Sequence, residues 1–179
     1  MRLTLQAGAV LLLVVMIGLF ARSLVQDRTT VYALVQDGQQ PAAPNFTLPK
    51  LDGRGTASLA SLRGRIVLVN FWASWCTACQ YEAPAFDQAL ATYGPRGVSV
   101  VGVDTSDFEN DGRAFAHTYD QHYTLVHDSG SVAQRWGIGT GLPVTYVVSR
   151  NGKVVHLFNG VVTGESLRAV LAPLLRSRA

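Results

Sequence analysis

Cysteine is nearly absent from this 179-residue chain: there is one at position 76, one at position 79, and no third. That scarcity excludes a small scaffold stapled by several disulfides. No second Cys-x-x-Cys pair exists, His117 and His122 stand five apart, and His127 and His156 are isolated. A zinc site, which needs a second ligand pair at matching spacing, therefore has no support, and no metal or cofactor is expected. Lysine is almost as scarce, at two residues against thirteen arginines, and the basic residues are spread along the chain. Without a basic run interleaved with aromatics, nucleic-acid binding is excluded as a working idea. Internal repeats and low-complexity tracts are missing too, so the length suits one ordinary domain.

One stretch lacks charge altogether. Between Leu3 and Ala21 no Asp, Glu, Lys or Arg occurs, and Val10–Phe20 is almost wholly apolar. A membrane-spanning helix needs roughly 20 such residues, so residues 1–21 are read as a transmembrane anchor. The competing reading is a cleaved signal peptide, but no small-x-small pair closely follows the run. Val31-Tyr32-Ala33 lies far downstream, and no cysteine is placed to take a lipid. Arg2 before the run and Arg22, Asp27 and Arg28 after it leave orientation almost undetermined by charge. Residues 22–43 are polar, without periodicity, and end in Gln39-Gln40-Pro41-Ala42-Ala43-Pro44; they read as a linker. The folded domain is expected over 44–179.

Within it, Asn45–Leu48 alternates as a short strand, Asp52-Gly53-Arg54-Gly55 signals a turn, and Ile66–Trp72 is a continuous apolar run. Such a run suits a strand buried on both faces. A helix is expected over Cys76–Tyr93, kinked by Pro84 inside it. Gly97–Asp104 reads as a second central strand, and Asn110 or Asp111 as the cap of a helix reaching Gln121. A strand over Tyr123–His127 and a helix over Ser131–Trp136 follow. Two strands, Val144–Ser149 and Val154–Phe158, flank the hairpin signal Asn151-Gly152, and a helix over Gly164–Leu175 closes the pattern. Strands alternating with helices and ending in a hairpin imply an α/β fold with a mixed central sheet flanked by helices.

The two cysteines follow the longest buried strand in Trp75-Cys76-Thr77-Ala78-Cys79. Strand, turn and helix would place Cys76 at a helix N-terminus, where unpaired N–H groups and the helix dipole favour a thiolate. Two thiols nearly one helical turn apart close a ring too small to stabilise much, so a redox dithiol is the better reading than a structural disulfide. Cys76 is expected to form the mixed disulfide, and Cys79 to resolve it. Asp104, Asp107 and Glu109 read as loop or cap groups, and Trp72 and Trp136 as core.

The stretch VLVNFWASWCTAC (67–79), together with Gly141-Leu142-Pro143-Val144-Thr145-Tyr146, resembles thioredoxin-like proteins, and more narrowly the membrane-tethered TlpA/ResA/CcmG (DsbE) group, over residues 44–175. The resemblance implies a thioredoxin-like fold and a protein thiol-disulfide oxidoreductase. It implies a cis bond before Pro143, with the Trp75, Leu142 and Pro143 neighbourhood receiving substrate. Asn70 stands where thioredoxins carry a buried aspartate, and an amide cannot exchange a proton. Glu82, three residues after Cys79, is implied instead as an acid/base or pKa-tuning residue, which completes the catalytic set Cys76, Cys79 and Glu82. Thr77-Ala78 departs from relatives that place proline before the second cysteine, and Val144 stands where CcmG-type proteins carry glutamate. By resemblance the domain faces the outside of a bacterial cytoplasmic membrane and receives electrons from a membrane thiol carrier of the CcdA/DsbD kind. There it would reduce protein disulfides such as the haem-binding pair of an apocytochrome c. The rivals are an oxidant of secreted proteins with the same fold, and a copper-binding assembly factor using His156 as a third ligand. A peroxidase lacks its Thr-x-x-Cys segment.

Overall fold

In a computed structural model, residues 11–22, 30–139 and 141–177 are described. Five strands form the central sheet in the order β5-β4-β3-β6-β7, with β3 (Ile66–Trp72) in the middle. On one side β3 pairs in parallel with β4 (Val98–Thr105), which pairs in parallel with β5 (Thr124–Asp128). On the other it pairs antiparallel with β6 (Val144–Val148), and β6 with β7 (Val154–Asn159). All seven residues of β3 are buried, as its unbroken apolar run requires of a central strand covered on both faces. The β6–β7 hairpin turns at Asn151-Gly152, where Gly152 takes the positive φ of 78° that such a turn demands. Two short strands, β1 (Thr47–Pro49) and β2 (Thr56–Ser58), make a separate antiparallel ribbon.

Alternate residues of β3 face different helices. Ile66 and Leu68 pack with Phe86 and Ala89 of α3 (Ala83–Tyr93) and with Leu167 and Leu171 of α6 (Gly164–Arg176). Val67, Val69 and Phe71 face Val132, Ala133 and Trp136 of α5 (Ser131–Trp136). Trp136 and Trp72 are both core residues, as expected, at 0% and 1% exposed. Beyond the two main clusters, α4 (Glu109–Thr118) brings Phe115 against Trp72, with the rings stacked 5.2 Å apart.

Several boundaries differ from expectation for physical reasons. Residues 22–43 are not all linker: Val31–Gln36 form a helix, α2, whose Val31 is buried in the core against the α5 side of the sheet. Its six residues are too few to show a period, and tertiary packing rather than propensity holds so short a helix. Pro41 and Ala43 continue the attachment through backbone bonds to Val154 and Gly152. The expected single helix over Cys76–Tyr93 is also corrected. A 3₁₀ turn covers Cys79–Tyr81, α3 begins at Ala83, and Pro84 occupies its first turn, where its missing N–H costs nothing. Helix α4 starts at Glu109 after Phe108, ahead of the expected Asn110 or Asp111 cap.

The expected anchor over 1–21 falls partly outside the described residues. Residues 11–22 are helical (α1), with Leu11–Leu13, Met16, Ile17, Leu19 and Phe20 all exposed. Among the described residues no helix is long and apolar enough to cross a membrane.

Candidate active site

Strand β3 ends at Trp72, and the chain turns at once into the dithiol. Backbone bonds from Cys76 N to Ala73 O (3.1 Å) and from Cys79 N to Cys76 O (3.0 Å) coil this segment into consecutive tight turns. Cys76 and Cys79 are joined as a disulfide. Cys76 is 5% exposed and Cys79 1%, so both are buried and Cys76 is the more open of the two. The pair sits against Trp72, Ala73 and Phe115, with Leu142 packed beside the same cluster. The Leu142–Pro143 bond is cis, and Pro143 leads directly into β6, the antiparallel neighbour of β3. The topology thus brings Leu142 and Pro143 to the dithiol although more than sixty residues separate them in the chain. Trp75, which directly precedes Cys76, is half exposed, its indole N–H donating to Ser106 O at 2.9 Å.

Glu82 is not a solvated helix residue. It closes the 3₁₀ turn that begins at Cys79, its N–H donating to Cys79 O (3.4 Å), and its side chain is 1% exposed. Asn70 Nδ2 donates to Glu82 Oε1 (2.7 Å) and to Thr145 Oγ1 (3.1 Å), while Val162 N donates to Glu82 Oε2 (3.3 Å). Asn70 and Thr145 are register partners on β3 and β6, so both project toward the side where α3 begins. Burial pushes the Glu82 carboxyl up to about 8, against the pull of the Asn70 and Val162 hydrogen bonds, which favour the ionised form. A carboxyl that holds its proton near neutral pH thus lies one turn beyond the buried cysteine. Asn70 replaces a titrating group with an amide that pins this carboxyl.

Asp104, read from the sequence as a loop or cap group, is instead a fully buried residue of β4. His127 Nδ1 lies 2.8 Å from its Oδ2 across the β4–β5 register. Burial first, and then the neighbouring Asp107 carboxylate, push Asp104 up to about 7 against the opposing pull of His127. Sequence reasoning missed this pair because a lone aspartate and a lone histidine 23 residues apart carry no spacing signal. It also missed Tyr123, a buried phenol set edge-on to Phe86, whose hydroxyl burial and the charges of Glu82 and Asp87 keep from ionising. His156 stands on β7 beside Phe158, and burial lowers its pKa. Among the described residues no group of three His, Cys, Asp or Glu side chains converges as a metal site.

A mixed sheet whose central strand runs into a Cys-x-x-Cys disulfide, with a cis-proline at the start of its antiparallel neighbour, defines a thioredoxin-like disulfide-exchange protein. The chain belongs to the AhpC/TSA family, which it matches over residues 40–157. It is similar to the thioredoxin-like protein YneN of Bacillus subtilis, 31% identical over 164 residues that cover 90% of this chain and 94% of that one. It is likewise similar to the thiol-disulfide oxidoreductase ResA of Bacillus cereus, 29% identical over 90% of this chain and 92% of the relative. A solved structure from Chlorobium tepidum, described as a thiol:disulfide interchange protein DsbE, superposes with a TM-score of 0.70 at 29% identity. It covers 76% of this chain and 96% of that one. The chain is a thiol-disulfide oxidoreductase of thioredoxin-like fold.

Proposed function

We propose that this protein is a membrane-tethered, extracytoplasmic reductase of protein disulfides, acting on the haem-binding cysteine pair of an apocytochrome c during cytochrome c maturation. The observation that carries the exchange chemistry is Glu82, buried one turn beyond Cys79 with its carboxyl raised to about 8, while the reductive direction rests on the resemblance to the TlpA/ResA/CcmG group. In the reduced protein the Cys76 thiolate attacks the substrate disulfide, forming a Cys76–substrate bond and releasing one substrate thiolate, which takes a proton. Glu82 releases its proton at about 8, close to the ordinary value of a thiol, and in its ionised form takes the proton from Cys79 as Cys79 attacks Cys76 Sγ. The second substrate thiolate leaves, and the Cys76–Cys79 disulfide is restored. Two electrons pass from the protein dithiol to the substrate. Glu82 acts as the acid/base group, and Asn70 with the Val162 amide orients it. The exposed Trp75 and the Leu142–Pro143 segment form the platform on which the substrate chain lies.

The tether rests on the charge-free run over Leu3–Ala21 and on the exposed apolar helix at 11–22. On this reading the domain stands on the outer face of a bacterial cytoplasmic membrane, and a carrier of the CcdA/DsbD type re-reduces it. Cys79→Ala tests the substrate, because it leaves Cys76 unable to be released and traps the mixed disulfide in cells. Recovery of an apocytochrome c on Cys76 is the expected result; recovery of only unrelated secreted proteins overturns the assignment. Equilibration of the Cys76/Cys79 couple with glutathione tests the direction. A couple as oxidising as about −120 mV would make the protein an oxidant, and one near −270 mV a reductant.

A further inference from the structure

Helix α2 is attached to the sheet in one direction, set by its contacts. At the end where β3 runs into the dithiol, Phe71 pairs with Val144 on β6, and Val144 with Asn159 on β7. Asn159 Nδ2 donates to the Tyr32 hydroxyl at 2.9 Å. Gly137, which caps α5, leaves room for α2 there: a Cβ would stand 2.7 Å from Thr30 Cβ and 2.8 Å from Tyr32 Cβ. At the opposite end, beside the β6–β7 turn, Ala43 N donates to Gly152 O and Val154 N to Pro41 O, both at 2.9 Å. As the chain runs from Tyr32 to Ala43, its partners thus run back from Asn159 to Gly152. It enters at the dithiol end of β7 and leaves at the hairpin end. A strand length separates the two ends, about 23 Å for the seven residues of β3 at roughly 3.3 Å each.

The dithiol end also gathers the exposed apolar side chains. Outside α1, the large apolar residues exposed among the described ones are Trp75, Tyr81, Phe108 and Val161. Trp75 and Tyr81 flank the cysteines beyond β3, Phe108 follows β4, and Val161 follows β7. These three strands run the same way, because β3 and β4 are parallel and β6 is antiparallel to both β3 and β7. All four side chains therefore lie beyond one end of the sheet. A group of apolar residues left exposed around a reactive site marks a contact surface.

The chain from the apolar N-terminal run arrives at this same end. The described part of α1 reaches residue 22 and Thr30 caps α2, so residues 23–29 bridge at most about 29 Å when fully extended. Were α2 undocked, the first attachment to the sheet would be Pro41 at the hairpin end, and the dithiol would stand a strand length farther away. We propose that α2 orients the domain with its dithiol end toward the membrane, and that Trp75, Tyr81, Phe108 and Val161 dock a membrane-embedded protein whose cysteine pair lies at the bilayer surface. The inference rests on the membrane-tethered reading of residues 1–21, and exchange with that partner follows the dithiol cycle already given.

The test uses the full chain in phosphatidylcholine vesicles. In a Cys76→Ser, Cys79→Ala background, Asn110→Cys at the dithiol end or Lys153→Cys at the hairpin end carries a single dye; both positions are exposed. Energy transfer to acceptors on the lipid headgroups should be stronger from residue 110 than from residue 153; equal transfer, or stronger transfer from 153, overturns the orientation. The partner is represented by a synthetic transmembrane peptide with an internal disulfide just beyond its span, compared with the same disulfide segment free in solution. Two electrons pass from the pre-reduced dithiol to the peptide disulfide. A Gly/Ser spacer between Arg28 and Thr29 that lengthens the tether to about twenty residues should slow reduction of the embedded peptide about fourfold, because effective concentration falls as roughly the −3/2 power of tether length. Reduction of the free segment should not change, and an unchanged rate on the embedded peptide overturns the proposal. If Phe108→Ser with Val161→Ser lowers energy transfer from residue 110, lipid itself holds this end and the protein partner is overturned. Recovery of the labelled chain free of vesicles would instead overturn the membrane tether, and the orientation with it.

Discussion

Glu82→Gln isolates the buried carboxyl that the proposed exchange cycle uses. In the folded protein this group titrates at about 8, against an ordinary value of 4.5. Below pH 4.5 folded and unfolded chains both hold the proton, and the stabilising contribution is fully present. As the pH rises toward 8 the unfolded chain releases a proton that the folded chain keeps, so stability falls throughout that window. At 1.36 kcal/mol per pH unit, the gap between the two values corresponds to a loss of about 5 kcal/mol. Glutamine cannot titrate, so the variant should lack this slope. It also replaces one acceptor oxygen with a donor, so one of the two bonds, from Asn70 or from Val162, is lost at every pH for about 1 kcal/mol. The two effects have opposite signs at high pH. The variant should be slightly less stable than wild type near pH 4.5 and clearly more stable near pH 8. Urea unfolding of the oxidised protein at several pH values, followed by far-UV circular dichroism, measures this directly. Parallel stability–pH curves for wild type and Glu82→Gln would refute the argument, because the slope would then come from other groups.

Three further outcomes follow from the same geometry. Asn70→Asp sets a second carboxyl about 2.7 Å from Glu82 Oε1. The two would share one proton, so the variant should lose on the order of 2 kcal/mol more stability at pH 8 than at pH 5, and an equal loss at both would count against it. Gly112→Ala should destabilise by about 1–3 kcal/mol in denaturant titration, despite alanine's higher helix propensity, since its Cβ would meet the stiff, buried Asp104 carboxyl; an unchanged or raised midpoint would show that the helix can move aside. Cys76→Ser should abolish disulfide exchange with glutathione, whereas Cys79→Ala should still form a mixed disulfide that does not resolve; a variant Cys79→Ala that turns over would remove Cys79 from the resolving role.

How much of this could be read without coordinates depends on how far each signal reaches along the chain. Buried strands and the terminal hairpin were legible because an apolar run such as Ile66–Trp72 and a turn such as Asn151-Gly152 are local patterns. The Cys76–Cys79 pair was legible for the same reason, being the whole cysteine content compressed into four residues. Helix α2 was not legible, because six residues carry no period and its Val31 is held by a core assembled from distant strands. The break between Cys79 and Ala83 was missed because Pro84 reads equally as a kink or as a first-turn residue, and packing chose between them. The sequence by itself therefore determined the class of fold, the chemistry of the dithiol and the presence of Glu82 three residues beyond it. Only the tertiary structure decided that Glu82 is buried against Asn70 and Thr145 and keeps its proton. It likewise decided that cis-Pro143 opens the strand beside β3 with Leu142 packed against the dithiol cluster, that His127 meets the buried Asp104, and that Asp107 holds Ser74. Burial and through-space charge set proton affinity, and both depend on which strands become neighbours, a property that no local stretch of residues contains.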